Sequence, residues 1–261
     1  MLKRVKKIMA SAAAMLAVAM VVFVPSASAV STIVVSPSNN QGWIFNGDPS
    51  TSTPYEFNEN HASIGQGSLY VQPIGSNPAD KFIAAKPLNV AATSLNSVSY
   101  DFMIADNGTA ASAQQFYLNV YTKLAGSTAY YNCRFDYVPT LGSTTNFTTV
   151  TFAAGDTSVN VGDRAGDAFT CPATLADMPA DSTISFIALN VGDTSTGDVG
   201  LGGYLDNVVV TTAGNATTYD FETDPTVLPN KEACKHNGWM TSEAPLFKNQ
   251  GDCVSYFATR K

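Results

Sequence analysis

From Thr32 to Thr212 short runs of alternating apolar and polar residues are separated by clusters of turn-forming residues. The runs that predict strands are 32–36, 42–46, 68–73, 81–86, 97–105, 115–122, 130–137, 147–152, 182–191 and 203–212, with one more at 219–222. Between them stand turn-makers such as Asn46-Gly47-Asp48-Pro49, Asp106-Asn107-Gly108 and Gly192-Asp193-Thr194. Such residues tolerate the backbone angles that tight turns require. No window of this region carries the 3.6-residue apolar period of a surface helix; only 174–178 reads as a short helical turn. Many short strands without alternating helices predict an all-β fold, a two-sheet antiparallel β-sandwich of jelly-roll type.

Two of these runs show which side chains share a face. In 116–121, Phe116, Leu118 and Val120 alternate with Tyr117, Asn119 and Tyr121. In 133–137, Cys133, Phe135 and Tyr137 alternate with Arg134 and Asp136. If the two strands pair, Tyr117, Asn119, Tyr121, Arg134 and Asp136 cover one side of a sheet. Aromatic rings beside amides and charges suit a sugar, whose C–H face stacks and whose hydroxyls need donors and acceptors. An ordinary solvated sheet face has the same pattern.

The ends of the chain read differently. Lys3, Arg4, Lys6 and Lys7 precede an apolar stretch from Met9 to Val24, which ends in Pro25 and Ala27-Ser28-Ala29. That is the layout of a secretory signal peptide with cleavage near Ala29, too short for a membrane span. Removing it leaves ten Lys and Arg against 21 Asp and Glu, a net charge of −11. Such acidity, with no basic cluster, argues against a nucleic-acid or anionic-membrane partner. No later segment is apolar enough to insert into a bilayer, so a secreted or cell-envelope location is expected.

All four cysteines follow the leader. Without a C-x-x-C pair they read as disulfides, and spacing favours Cys133 with Cys171 and Cys234 with Cys253. The expected organisation is a leader over 1–29, a sandwich over 30–222, a Pro-containing linker over 223–233 and a small disulfide-closed segment over 234–261.

The run Gly202-Gly-Tyr-Leu-Asp-Asn-Val-Val-Val-Thr211 resembles the closing strand of jelly-roll carbohydrate-binding modules and galactose-binding-like domains, and Gly42-Trp-Ile-Phe resembles their opening strand. The segment Cys234…Gly238-Trp239…Phe247-Lys-Asn-Gln-Gly-Asp-Cys253-Val254 resembles a short tail of secreted bacterial proteins of unknown function. The first resemblance implies recognition of a glycan or cell-envelope polymer, and a structural calcium ion held by Asp206. Strand parity sets Asp206 at the head of the row Tyr204, Val208 and Val210. An inward carboxylate there needs either a cation or several hydrogen-bond donors. Asn46, Asp48, Glu56 and Asp193 are the candidate partners.

Catalytic chemistry is thinly provided. His61 and His236 are the only histidines, so His-based zinc motifs are excluded, and no G-x-S-x-G elbow occurs. Glycoside cleavage needs only two facing carboxylates, for which Asp101, Asp136, Glu56 and Glu59 are the candidates. The reading is a secreted binding protein. The alternatives are a structural or adhesive exoprotein contacting other proteins, and a polysaccharide hydrolase or lyase.

Overall fold

The structure is a computed structural model and describes residues 30–46, 53–75, 81–106, 116–139, 142–163, 169–192 and 200–259. The expected leader, residues 1–29, and the acids Asp48 and Asp193 lie outside the described residues.

Thirteen strands form two sheets among the described residues. The seven-stranded sheet contains β1 (Val30–Val35), β3 (Tyr55–Asn58), β4 (Ser68–Val71), β6 (Leu95–Asp106), β9 (Thr148–Ala153), β12 (Gly202–Thr212) and β13 (Asn215–Phe221). Its centre is β12, which pairs with β6 along one edge and with β13 and β4 along the other. The six-stranded sheet runs in the order β10 (Asn160–Asp163), β8 (Cys133–Tyr137), β7 (Tyr117–Lys123), β11 (Thr183–Val191), β5 (Phe82–Ala91) and β2 (Ile44–Phe45). All pairings are antiparallel except that of β1 with β13. The architecture is the expected all-β sandwich of jelly-roll type, with a small disulfide-clamped cap at the C-terminal end.

One core fills the space between the sheets. Leu118, Val120, Phe135, Ile187 and Leu189 from one sheet meet Leu69, Val98, Phe102, Leu205, Val208 and Phe221 from the other. Trp43 is fully buried and sets its ring edge-on against Tyr219 and Phe221, with centroids 5.5 and 5.3 Å away. Burying each large apolar side chain stabilises the fold by about 1.5–3 kcal/mol. Cys133 lies in the same core and is bonded to Cys171 across 38 residues, a closure worth about 4 kcal/mol in the chain-entropy model.

The structure adds two strands that the sequence pattern does not mark, β3 and β10. Both have four residues: β3 alternates Tyr55 and Phe57 with Glu56 and Asn58 over too short a run to stand out, and β10 is interrupted by Gly162. β5 extends past its expected end because Pro87 sits opposite Phe186 at a register shift, where no ladder N–H is required.

The cap is a separate apolar cluster. Leu228, Cys234 and Cys253 are buried, with Trp239, Phe247, Val254 and Phe257 packed around them. The Cys234–Cys253 bond spans 19 residues, worth about 3 kcal/mol in the same model. The segment from Phe247, which carries no helical stripe in the sequence, forms α1 (Gln250–Thr259). The Asn249 side chain accepts the Asp252 N–H at 2.9 Å, and Asp252 accepts the Lys248 N–H at 3.1 Å. This exchange satisfies donors that the first turn leaves open. Glu243 ties the cap to the segment before it by accepting the Thr226 N–H at 2.6 Å.

Candidate functional site

The outer face of the six-stranded sheet gathers the expected binding residues. Asn119 lies opposite Asp136 and Tyr121 opposite Arg134 across β7 and β8. On the other side of β7, Asn190, Ala188 and Phe186 of β11 face Tyr117, Asn119 and Tyr121. Continuing onto β5, these rows reach Ile83, Ala85 and Pro87, and Ile44 of β2 completes the middle row. Side chains in strands alternate between faces, so register alone assembles the surface.

The middle row is low because Ala188 and Ala85 are small. Taller groups rise beside it, which leaves a trough of about 670 Å³ lined by Ile44, Lys81, Tyr121, Tyr131, Arg134 and Phe186. A second hollow of about 610 Å³ adjoins it through Ile44, Ala85, Tyr130 and Phe186 and extends to Asn89 and Lys123. The rings support one another. Tyr121 stacks on Phe186 at 4.2 Å and 17°, Tyr131 meets Tyr121 edge-on at 5.1 Å, and Tyr130 leans over Phe186 at 5.2 Å. Tyr130 is 69% exposed, and Ile44 beside it is also exposed.

Beneath the rings lies a polar network. Arg134 donates from Nε to Asp136 Oδ1 at 2.7 Å and from Nη2 to Oδ2 at 2.8 Å. Asn119 Nδ2 donates to Asp136 Oδ1 at 2.6 Å, and Asn190 Nδ2 donates to Asn119 Oδ1 at 2.9 Å. Asp136, Asn119 and Asn190 are buried, whereas Arg134 is 39% exposed at its side chain. A forked guanidinium–carboxylate pair of this kind fixes the orientation of both groups. Burial also pushes the Tyr121 hydroxyl up to about 12, so the ring stays neutral at any physiological pH.

Of the five residues expected to contact a ligand, Tyr121 and Arg134 line the trough. Asn119 and Asp136 are spent on the network below. Tyr117 is only 7% exposed and donates its hydroxyl to the Gly192 carbonyl at 3.2 Å, so its ring is part of the support. Sequence reading missed Tyr130, Tyr131 and Phe186. Tyr130-Tyr131 lies just before β8 rather than within it, and the register shift between Ile184 and Phe186 hides the parity of Phe186.

Asp206 belongs to the opposite side of the molecule. Asn207 takes φ +49° at a register shift between β12 and β6 and so resets the alternation. Leu205, Val208 and Val210 enter the core, while Asp206 does not continue the Val208–Val210 row as strand parity implies. Its carboxylate accepts four main-chain N–H groups. Ser63 and Ile64 donate to Oδ2, each at 3.0 Å, and Asn207 and Phe221 donate to Oδ1 at 2.7 and 3.1 Å. These donors meet the requirement that a buried carboxylate imposes and fill its acceptor positions.

Main-chain donors thus occupy the Asp206 carboxylate, the alternative to a cation that the sequence leaves open. Among the described residues no group of three or more His, Cys, Asp or Glu is placed to hold a metal ion. Of the other partners considered, Asn46 donates to the Thr53 carbonyl, and Glu56 accepts from Asn58.

Two of the four bonds, those from Ser63 and Ile64, pin residues 63–64 over the seven-stranded sheet. Ser63 Oγ donates to Asp101, which also accepts Asn207 Nδ2 at 2.8 Å. Gln66 N–H donates to Glu222 at 2.7 Å. Gly65 has φ +65°, and a Cβ there would meet the Glu222 carboxylate, so any other residue is strained. Burial pushes Asp206 up to about 6, against the four N–H bonds that pull it down. Burial, with Asp206 and Glu222 nearby, pushes Asp220 up to about 7. Asp101 and Glu56 thus belong to one sheet and Asp136 to the other, each with its own partners.

No family model matches the chain, and no match is found among curated proteins. Solved structures do show likeness. The chain is similar to a family 11 carbohydrate-binding module of a cellulosomal cellulase of Clostridium thermocellum, at 13% identity and a TM-score of 0.41, covering 66% of this chain and 88% of that one. It is similar to the CBM22-1 xylan-binding domain of a Paenibacillus barcinonensis protein, at 11% identity and a TM-score of 0.33, covering 66% and 86%. It is also similar to a cyclase from Fischerella sp. TAU, at 18% identity and a TM-score of 0.37, covering 73% and 92%.

Proposed function

We propose that the mature chain works outside the cell as a non-catalytic binding protein for a glycan or cell-envelope polymer, with the trough of the six-stranded sheet as its site. The observation that carries this reading is the set of rings from Tyr121, Tyr130, Tyr131 and Phe186 standing beside Arg134 over an alanine floor. Rings offer flat apolar surface to sugar C–H groups, and the guanidinium offers donors to hydroxyls. Two hollows that merge along the sheet accommodate an extended chain better than a compact molecule. Binding rather than cleavage is supported by the lining itself, which contains no carboxylate among the described residues.

The test is affinity electrophoresis of the oxidised protein through gels containing soluble polysaccharides. A Tyr121→Ala/Tyr130→Ala double variant with an unchanged melting temperature is expected to lose binding by tenfold or more. Retention equal to the parent protein would refute the trough. Capture of proteins with no polysaccharide retention would favour the adhesive alternative.

A further inference from the structure

The distribution of cations narrows the occupant. Residues 30–222 hold only five Lys and Arg against 17 Asp and Glu. Three of the five, Lys81, Lys123 and Arg134, line the two merged hollows, and no Asp or Glu does so among the described residues. Asp136, the nearest acid in the network, is buried and engages Nε and Nη2 of Arg134, while Nη1 takes no part in that pair.

The three cations are also spread out. Thr183 pairs with both Lys123 and Ala91, so Lys123 stands level with the far end of β5, while Lys81 immediately precedes that strand. Ten residues separate the two levels, about 33 Å at the rise of an extended strand. Arg134 lies between them, level with Tyr121, Phe186 and Pro87. A single small anion engages one cation, whereas a row along the strand direction matches negative charges repeated along a polymer.

We infer that the occupant of the trough is an acidic polysaccharide, one carrying carboxylate or sulfate groups on successive sugars. The inference rests on the trough being the glycan site. Rings bind the sugar faces, and the cations select the charged repeat by attraction that focuses in a concave, partly apolar surface. Neutral glycans meet only the first of these.

Binding of the full chain is measured by affinity electrophoresis and calorimetry against alginate, a sulfated galactan, a neutral mixed-linkage β-glucan and polyglutamate, at 25 and 250 mM NaCl. Alginate, the sulfated galactan or both are expected to bind at least tenfold tighter than the β-glucan, and several-fold more weakly at the higher salt. Which of the two binds identifies the carboxylate or the sulfate source. A Lys81→Gln/Lys123→Gln variant is expected to lose about tenfold for the acidic glycan at unchanged melting temperature. If β-glucan binds as well as the acidic glycans, or the lysine variant binds like the parent, the inference falls while the trough reading stands. If polyglutamate binds equally, the attraction is to charge alone and the inference falls. If no polysaccharide binds, both fall.

Discussion

The two sheets have opposite outer faces although both are built by the same two-residue alternation. On the seven-stranded sheet, carboxylates point outward and residues 61–67 close over them, with Asp206 collecting four N–H groups and Glu222 a fifth. On the six-stranded sheet the one buried carboxylate among the described residues, Asp136, is matched by Arg134, and rings and lysines border an open trough. An acid with only main-chain donors for partners draws a loop down and seals a face. An acid paired with a cation on the next row does not need a loop. The partner of the carboxylate therefore decides whether a face is structural or available.

The strongest way to break this contrast is Asp206→Ala, which strands four N–H groups. A loss on the order of 4 kcal/mol is expected in urea unfolding, and a loss below about 1 kcal/mol would remove the latch from the account. Next, Asp136→Ala leaves Arg134 and Asn119 without their partner and is expected to cost about 3 kcal/mol. It should also loosen β8, read as faster amide exchange there than in β12; uniform exchange across both sheets would contradict a local role.

Acidity sharpens the contrast further. Asp206 and Asp220 hold their protons more tightly in the folded chain than at the ordinary value of 3.8. The stability linked to those protons is complete below about pH 4 and is lost as pH rises through about 6 and 7. The melting temperature is therefore expected to fall between pH 5 and pH 8, and Asp220→Asn should flatten the fall by raising the value at pH 8. An identical slope in the variant would assign the dependence elsewhere. The smallest stability effect belongs to Tyr130→Ala, expected within about 0.5 kcal/mol of the parent because the ring is 69% exposed. A larger loss would make Tyr130 part of the fold rather than of the trough.

Much of this was legible along the chain. Alternation located β7 and β8, and their pairing set Asn119 against Asp136 and Tyr121 against Arg134 as expected. What stayed hidden depends on irregularity or on depth. The left-handed turn at Asn207 reset the parity of Asp206, and the register shift before Phe186 concealed its membership of the ring cluster. Tyr117 shares a face with Tyr121 but is covered where Tyr121 is not. Alternation reports which way a side chain points and not what lies above it. α1 was unreadable because ten residues containing a glycine, capped by Asn249, have little apolar period of their own.

The bond between Cys133 and Cys171 has one more implication. Cys133 immediately precedes Arg134 on β8 and points to the opposite side, so the sulfur bridge anchors from behind the strand that carries the cationic wall. A chain folded under reducing conditions loses that anchor and holds the wall by ladder bonds to its two neighbours, by Phe135 in the core and by the Asp136 network. On the proposed function, binding should then mature with oxidation: thiol-reduced protein would stay folded yet bind weakly, and restoring the bridge would restore binding.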